Sequence, residues 1–461
     1  MTDNLNQLAK SSLSVTKQKK IKRFILLFVL ITLILSASFV FYRYGGYWYN
    51  YYIKTQGKYM DVGLPTTPQN HPNGLLYRTE EGLMVLDLNG TESEMGFAHG
   101  FLLGDVIKYS IEYNLAIIQS VSRYEEFHND IIPSYLVRNS TYYSEEIEGI
   151  FAGAVAAGAD RYVPSLQREW DVIDLWMLNT IQDYYQVACS GIGVWGSSSA
   201  SGQTFIGRNL DFVIDENAYV TQLYIIMIFR GNSTPGSYFK YDIMSFSMPG
   251  IIGVISGFNS KGVWMHVDSS NGGMTSEADR TGVCLAIRRF LEKENGTDIV
   301  IRSQEYFLKQ NIAHSVLLLV GSNNTIEENI NPVFILEVRD DIVGYRGATN
   351  PSDNFVVVTN HERVNNEPVN CHRYERYIND FAEYRTTGDN KIDSDELLRS
   401  QRRCGYEATI NAIQFFPSNL TFRIGYTKMN NVEFGKSWSM SDLIAGPRDP
   451  LLQTWFYWEN F

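Results

Sequence analysis

One stretch constrains this chain more than any other. From Val187 it reads Val-Ala-Cys-Ser-Gly-Ile-Gly-Val-Trp; after a loop it resumes at Gly202 as Gly-Gln-Thr-Phe-Ile-Gly-Arg-Asn-Leu-Asp-Phe. The apolar run Ile192 to Trp195 gives way to Gly196, three serines, Ala200, Ser201 and Gly202, and the chain re-extends at Thr204-Phe205-Ile206. That is strand, turn, strand, with a loop longer than a two-residue turn. Antiparallel arms bring Cys189 near Arg208 and Asp211. A neighbouring guanidinium favours thiolate over thiol. The carboxylate then either holds the guanidinium or binds an amine on the cysteine itself. A break before Cys189 would place nucleophile and base in one residue, the α-amine having an ordinary pKa of ~8. Taken alone, Cys189 reads as half of a disulfide in a secreted domain. With Gly-Arg-Asn-Leu-Asp at hairpin spacing, it reads as a nucleophile.

Cys-Ser-Gly-Ile followed by Gly-Arg-Asn-Leu-Asp-Phe resembles the signature of the N-terminal-nucleophile (Ntn) cysteine hydrolases. It is most similar to the acyl-CoA:6-aminopenicillanate acyltransferase-like branch, whose members often read Cys, a Trp-Gly pair, then Gly-Arg-Asn-Leu-Asp. The resemblance implies an α+β fold, a four-layer αββα sandwich of two antiparallel sheets covered by helices. It implies self-cleavage between Ala188 and Cys189, into fragments of 188 and 461 − 188 = 273 residues. Cys189 is then the nucleophile, with Arg208 and Asp211 beside it. Val356-Val357-Val358-Thr359-Asn360-His361 looks like the Thr-Asn-Tyr/His element of the same superfamily, in which the asparagine donates to the developing oxyanion, a contribution of ~3 kcal/mol in comparable sites. Read without the resemblance, Asn360 is a strand-end turn residue. Acid-ceramidase-like members carry an arginine about where Arg373 stands, although Arg376, one helical turn on, competes for the role. Gly96, His99 and Gly100 resemble the Gly-x-x-His-Gly turn of the acyltransferase-like branch. By its own chemistry His99 reads as a packed helix histidine whose small neighbours allow close approach. Asp268, Ser269, Ser270 and Asn271 end a strand where family members line the substrate pocket, whereas turn chemistry accounts for Asn259 to Gly262.

The other decisive feature lies at the N-terminus. Residues 1–16 are polar, and Lys17, Lys19, Lys20, Lys22 and Arg23 form a basic cluster. Phe24 to Tyr42 carries no charge and as a helix spans ~28 Å, a bilayer core. Arg43, Tyr44, Tyr47, Trp48, Tyr49, Tyr51 and Tyr52 follow as an interfacial belt. The expected organisation is a cytosolic tail (1–23), a signal anchor (24–42), a linker (43–80) and an Ntn-hydrolase domain (81–461) made of fragments 81–188 and 189–461. A cleaved signal peptide is the competing reading. Basic residues before the span place the domain outside the cytosol, luminal or extracellular. The six sequons, at Asn89, Asn139, Asn232, Asn295, Asn323 and Asn419, all fall on that side.

Four cysteines make no disulfide scaffold. Cys371 and Cys404 are the expected pair, and Cys284 a buried free thiol in an apolar helical patch. A net charge of −12, with no basic stripe beyond the N-terminus, argues against nucleic acid. Helical spacing marks 144–186, where Trp170, Ile173, Trp176 and Met177 read as core, and the patterns at 282–292, 298–309 and 372–386. Strands are expected at 82–88, 219–229, 251–256, 262–268, 315–320, 332–338 and 354–359. Gly388 to Glu396 resembles half of an EF-hand loop, but Arg385 and Asn390 stand where calcium needs Asp and Gly, so it reads as a turn capping a helix.

Together these observations describe a membrane-anchored hydrolase of linear amides acting through a thioester, on a small-molecule amide or lipid-amide substrate. No metal and no organic cofactor is expected. An acyltransferase using the same residues, a non-catalytic surface protein of the same fold and a tethered peptidase are the alternatives.

Overall fold

We describe the protein from a computed structural model. The described residues are 61–79, 83–184, 188–212, 219–231, 239–274, 281–312, 314–323, 331–339, 342–350, 353–364, 370–405, 409–426 and 456–457. The apolar run 24–42 lies outside them, as do Asn232 and the ends of several loops. No helix among the described residues is long and apolar enough to cross a membrane.

In chain order the first elements are β1 (Gln69–His71), β2 (Gly74–Arg78), β3 (Met84–Asn89), α1 (Glu92–Ile118), α2 (Val121–Glu126), a π-helical turn (Phe127–Ile131) and α3 (Ile132–Ala156). The short strands β4 (Tyr162–Val163) and β5 (Arg168–Glu169) lead to α4 (Val172–Tyr184). The hairpin follows as β6 (Ala188–Val194) and β7 (Phe205–Asp211). Next come α5 (Val220–Leu223), β8 (Ile225–Arg230), β9 (Ile243–Ser247), β10 (Ser256–Asn259), β11 (Trp264–Met274), α6 (Val283–Leu291) and α7 (Ile299–Gln310). The last elements are β12 (His314–Gly321), β13 (Val333–Arg339), β14 (Ile342–Arg346), β15 (Phe355–Val358), α8 (His372–Thr387), α9 (Ser394–Cys404), β16 (Thr409–Phe416), β17 (Thr421–Tyr426) and β18 (Phe456–Tyr457).

Two sheets organise these strands. One runs β1-β2-β3-β8-β9-β10-β11-β12-β13-β14, and the other β15-β6-β7-β16-β17-β18. Every pairing is antiparallel except β3 with β8. β6 and β7 sit inside the smaller sheet, which is why almost every residue of both is buried on both faces. The inner faces interlock. Trp264 stacks on Phe415 and Phe258 on Phe415, with centroids 5.4 and 4.2 Å apart, and a Cβ on Gly193 would meet the side chain of Val333. On the outer face of the smaller sheet, Tyr377, Phe381 and Leu397 from α8 and α9 pack on Ile192, Val194, Phe205 and Val357. On the outer face of the larger sheet, Cys284 of α6 lies against Gly253, and Ala98 and Leu102 of α1 against Gly74 of β2. The result is helix, sheet, sheet, helix: the expected four-layer α+β arrangement.

Several expectations need correcting. β1 and β2 fall inside the stretch read as linker, so the sheet begins ahead of residue 81. Residues 220–223 are a helical turn rather than the start of a strand, and 251–255 form a loop. None of the four cysteines is in a disulfide. Cys371, the residue before α8, has its thiol on Thr359 Oγ1 at 3.5 Å, while the Cys404 thiol lies 3.5 Å from the carbonyl of Arg373. Cys284 is a buried free thiol, as read.

His99 is also structural. It is fully buried, its Nε2 accepts the backbone N–H of Gly250 at 3.0 Å, and burial lowers its pKa to about 3. The glycines around it let α1 and α3 touch backbone to backbone. A Cβ at Gly100 would stand 1.8 Å from the carbonyl oxygen of Ile150, and one at Gly153 2.0 Å from that of Phe97. Replacing Gly100 with alanine will therefore force the helices apart, at a cost of ~1–3 kcal/mol or more, read as a lowered thermal midpoint. An unforeseen buried ion pair locks α3 to α6. Arg288 makes two bonds to the Glu146 carboxylate, at 2.9 and 2.7 Å, and its guanidinium lies 4.0 Å from the ring centroid of Phe229.

Candidate active site

The hairpin register decides what surrounds the sulfur. Cys189 pairs with Leu210, Gly191 with Arg208, and Ala188 with Asp211. Opposed residues in an antiparallel pair share a face, and residues two apart on a strand do too. Cys189 and Arg208 therefore share the inner face, between the sheets, while Asp211 points to the face covered by α8.

On the inner face, Arg208 Nη2 donates to Cys189 Sγ at 3.4 Å, and both side chains are fully buried. Asp211 does not hold this guanidinium. Asp268 does, its Oδ1 accepting from Arg208 Nη1 at 3.0 Å. Asp268 Oδ2 meets His266 Nε2 at 3.1 Å, and His266 Nδ1 accepts the indole N–H of Trp264 at 2.9 Å. Burial opposes charge on Asp268, but His266 and Arg208 outweigh it and hold the carboxyl below its usual pKa. Sequence reading placed Asp268 only in a pocket-lining strand. The signal it passed over is Trp264, His266 and Asp268 at period two on one strand, three hydrogen-bonding side chains turned inward.

Arg373 and Asp211 from the outer face, and Asn360 from the strand edge, gather round the backbone of Cys189. Its N–H donates to Asn360 Oδ1 at 2.9 Å, and its carbonyl accepts from Arg373 Nη1 at 2.7 Å. Arg373 also reaches Asp211 Oδ2 at 3.0 Å and Asn360 Oδ1 at 2.6 Å. Thr409 Oγ1 donates to the other Asp211 oxygen at 2.6 Å. Asn360 sits just past the end of β15, beside β6, and its Nδ2 donates to the Ser269 carbonyl at 2.7 Å. Arg376, the competitor of Arg373, instead donates to the carbonyl of Arg403. All five residues expected at the site are thus brought together around Cys189, with Arg208 on the inner face, Asp211 and Arg373 on the outer and Asn360 at the strand edge.

The electrostatics limit how far Arg208 favours the thiolate. Burial pushes the Cys189 thiol up to about 12, with Arg208 pulling the other way and Asp268 and Asp211 adding to the rise. In the uncleaved chain the sulfur is thus a protonated thiol, and reaction requires a base. Burial likewise raises Asp211 to about 6, against the opposing pull of Arg373 and Thr409. A carboxyl raised in the fold favours folding fully below its unfolded pKa near 4, and that contribution is lost as pH rises through about 6. Asp211→Asn, which mimics the neutral form, will therefore gain thermal stability relative to wild type between pH 4 and pH 7. A constant difference across that range would contradict the assignment.

Among groups able to hold a cation, His128, Asp171 and Asp174 come together, but Arg168 makes two bonds to Asp174, at 2.7 and 2.9 Å, and occupies that carboxylate. Of the sequons within the described residues, Asn89, Asn323 and Asn419 are exposed and Asn295 is half-buried; the side chain of Asn139 lies outside the description.

A two-sheet, helix-covered sandwich with a cysteine at the head of an inner strand is the class defined by this fold and site. No family model matches the chain. The chain is 27% identical over 226 residues to an uncharacterized protein of Archaeoglobus fulgidus, a match covering 44% of this chain and about a third (35%) of that relative's length. Among solved structures it is similar to the Caenorhabditis elegans ortholog of N-acylethanolamine-hydrolyzing acid amidase, with TM-score 0.39, 15% identity and coverage of 58% of this chain and 99% of that one. It is similar also to the conjugated bile acid hydrolase of Clostridium perfringens, with TM-score 0.36, 12% identity and coverage of 52% and 89%. A third is penicillin V acylase of Agrobacterium tumefaciens, with TM-score 0.31, 12% identity and coverage of 52% and 83%. At these TM-scores the likeness is loose, and the assignment of the site rests on its own geometry.

Proposed function

We propose that the chain is an Ntn cysteine amidohydrolase that activates itself by cutting between Ala188 and Cys189. One observation carries the reading: three atoms of Cys189 are each gripped by a different group. Asn360 takes the N–H, Arg373 the carbonyl and Arg208 the sulfur. A disulfide half or a packing cysteine needs none of these contacts. In the uncut chain, Sγ attacks the Ala188 carbonyl carbon, the C–N bond breaks and the nitrogen gains a proton. Water then hydrolyses the resulting thioester, releasing the carboxylate of Ala188 and the thiol of Cys189, whose amine the first step has already freed. In turnover that amine takes the thiol proton as sulfur attacks a substrate amide. The substrate amine leaves with a proton, and water resolves the acyl thioester. Asn360, whose amide nitrogen carries two hydrogens, is the candidate donor to the oxyanion. The substrate class is a small-molecule or lipid amide, handled outside the cytosol by a domain tethered through residues 24–42.

N-terminal mapping by mass spectrometry of the glycosidase-treated protein, after incubation at acid and neutral pH, tests the reading. A new N-terminus at Cys189 is expected. A chain intact under both conditions would overturn it. An acyltransferase would share every step but the last, and supplying an acyl donor with a free amine separates the two by their products.

A further inference from the structure

The polar chain behind the sulfur continues beyond the groups used above. Asp268 holds Arg208 through one oxygen and meets His266 through the other. Because the Trp264 indole N–H donates to His266 Nδ1, the ring proton lies on Nε2 and faces Asp268. Both carboxylate oxygens therefore have a donor, which fixes the rotation of the carboxylate. That rotation matters, because the guanidinium is held at few points. Arg208 Nε is buried without a hydrogen-bond partner, so Nη1 on Asp268 and Nη2 on Cys189 are the contacts that aim it. At the far end, the Trp264 ring is set in the aromatic core among Phe246, Phe258 and Phe415. Gly191, on the strand of the nucleophile, leaves room for the imidazole: a Cβ there would stand 2.4 Å from His266 Nε2.

We propose that Trp264 and His266 are positioning residues for the Cys189 thiol, orienting Asp268 and through it the arm of Arg208 that reaches the sulfur. This rests on the reading of Cys189 as a nucleophile. His266 stays neutral in this role: burial and Arg208 lower its pKa to about 4, against the pull of Asp268. An imidazolium would need Nδ1 for its second proton and would lose the indole bond.

Full-length His266→Leu, His266→Gln and Trp264→Phe are compared with wild type. Three quantities are read: the rate of cutting before Cys189, the rate at which iodoacetamide alkylates Cys189, and the thermal midpoint. His266→Leu is expected to slow cutting and alkylation ~10- to 100-fold, as small misplacements at reacting centres do. His266→Gln, whose amide offers a donor to Asp268 and an acceptor to Trp264, should recover most of the loss. Trp264→Phe keeps an aromatic in the core but frees the ring, and should show a smaller slowing. A merely structural histidine would not be rescued selectively by glutamine at equal midpoint. Wild-type rates in His266→Leu, or equal slowing in the leucine and glutamine variants, overturn the proposal. If His266→Leu does not fold, Trp264→Phe decides, and a wild-type rate there overturns it. Failure of the wild type itself to cut or alkylate at Cys189 sinks the nucleophile reading, a result separable from the others.

Discussion

With alanine in place of Cys189, the protein will remain one polypeptide and hydrolyse no amide. The substitution is unusually clean because Asn360 and Arg373 hold the backbone N–H and carbonyl of residue 189, which alanine retains. Only the sulfur and its contact with Arg208 are lost, from a fully buried position. Removing the nucleophile from a comparable acyl-transfer site costs ~10⁶-fold in turnover. Here the loss is compounded, because the variant also lacks the free amine that cutting would expose. Denaturing mass spectrometry and a panel of fluorogenic N-acyl amides measure both effects. Residual cutting or turnover in the variant, at more than a thousandth of the wild-type rate, would assign the chemistry to another group.

Lysine in place of Arg208 will leave the protein folded and its thiol slow. Arginine reaches two partners with one rigid fork, Asp268 through Nη1 and Cys189 through Nη2. A lysine ammonium is a compact point charge on a flexible stem and cannot span both. It will stay with the buried Asp268 carboxylate, since an unpaired buried charge costs ~3–5 kcal/mol. The thiol, already raised to about 12 by burial, then loses its direct contact with the cation that opposes that rise. Loss of one such stabilising donor costs ~10²- to 10³-fold in rate. The expected result is a near-unchanged melting temperature with cutting and iodoacetamide alkylation both slowed by that factor. Rates within a few-fold of wild type would mean that the fork is dispensable. Arg208→Met is a poorer test, because it strands Asp268 and confounds rate with stability.

The hairpin was legible because its signals are local: serine and glycine in the loop, apolar arms and a cysteine at the head. Of the two roles open to Asp211, holding Arg208 or binding the amine of Cys189, strand geometry alone removes the first. Residues three apart on a strand face opposite ways, so the two side chains could not both attend the sulfur. Asp268 escaped notice for a different reason. It lies on the other sheet, and packing one sheet on the other, rather than any local pattern, brings it to Arg208. Asn360 and Arg373 were found only through resemblance; Asn360 alone reads as a turn residue, and Arg376 looked as suitable as Arg373 until the helix phase was known. The expected Cys371–Cys404 pair rested on elimination, which says nothing of geometry. β16 and β17 were missed because Thr409-Ile-Asn-Ala-Ile-Gln-Phe-Phe mixes polar and apolar residues on a strand whose both faces are covered.

The parallel seam between β3 and β8 bears on how such a protein would behave in the hand. Strands from before residue 188 are woven into the same ten-stranded sheet as those after it, and α3 is clamped to α6 by Arg288 and Glu146. Severing the backbone at the hairpin would therefore release nothing. The two halves would co-migrate on native gels and part only in denaturant, and dilution would not extinguish activity. Any tether on the leading half would hold the reactive half by folding alone.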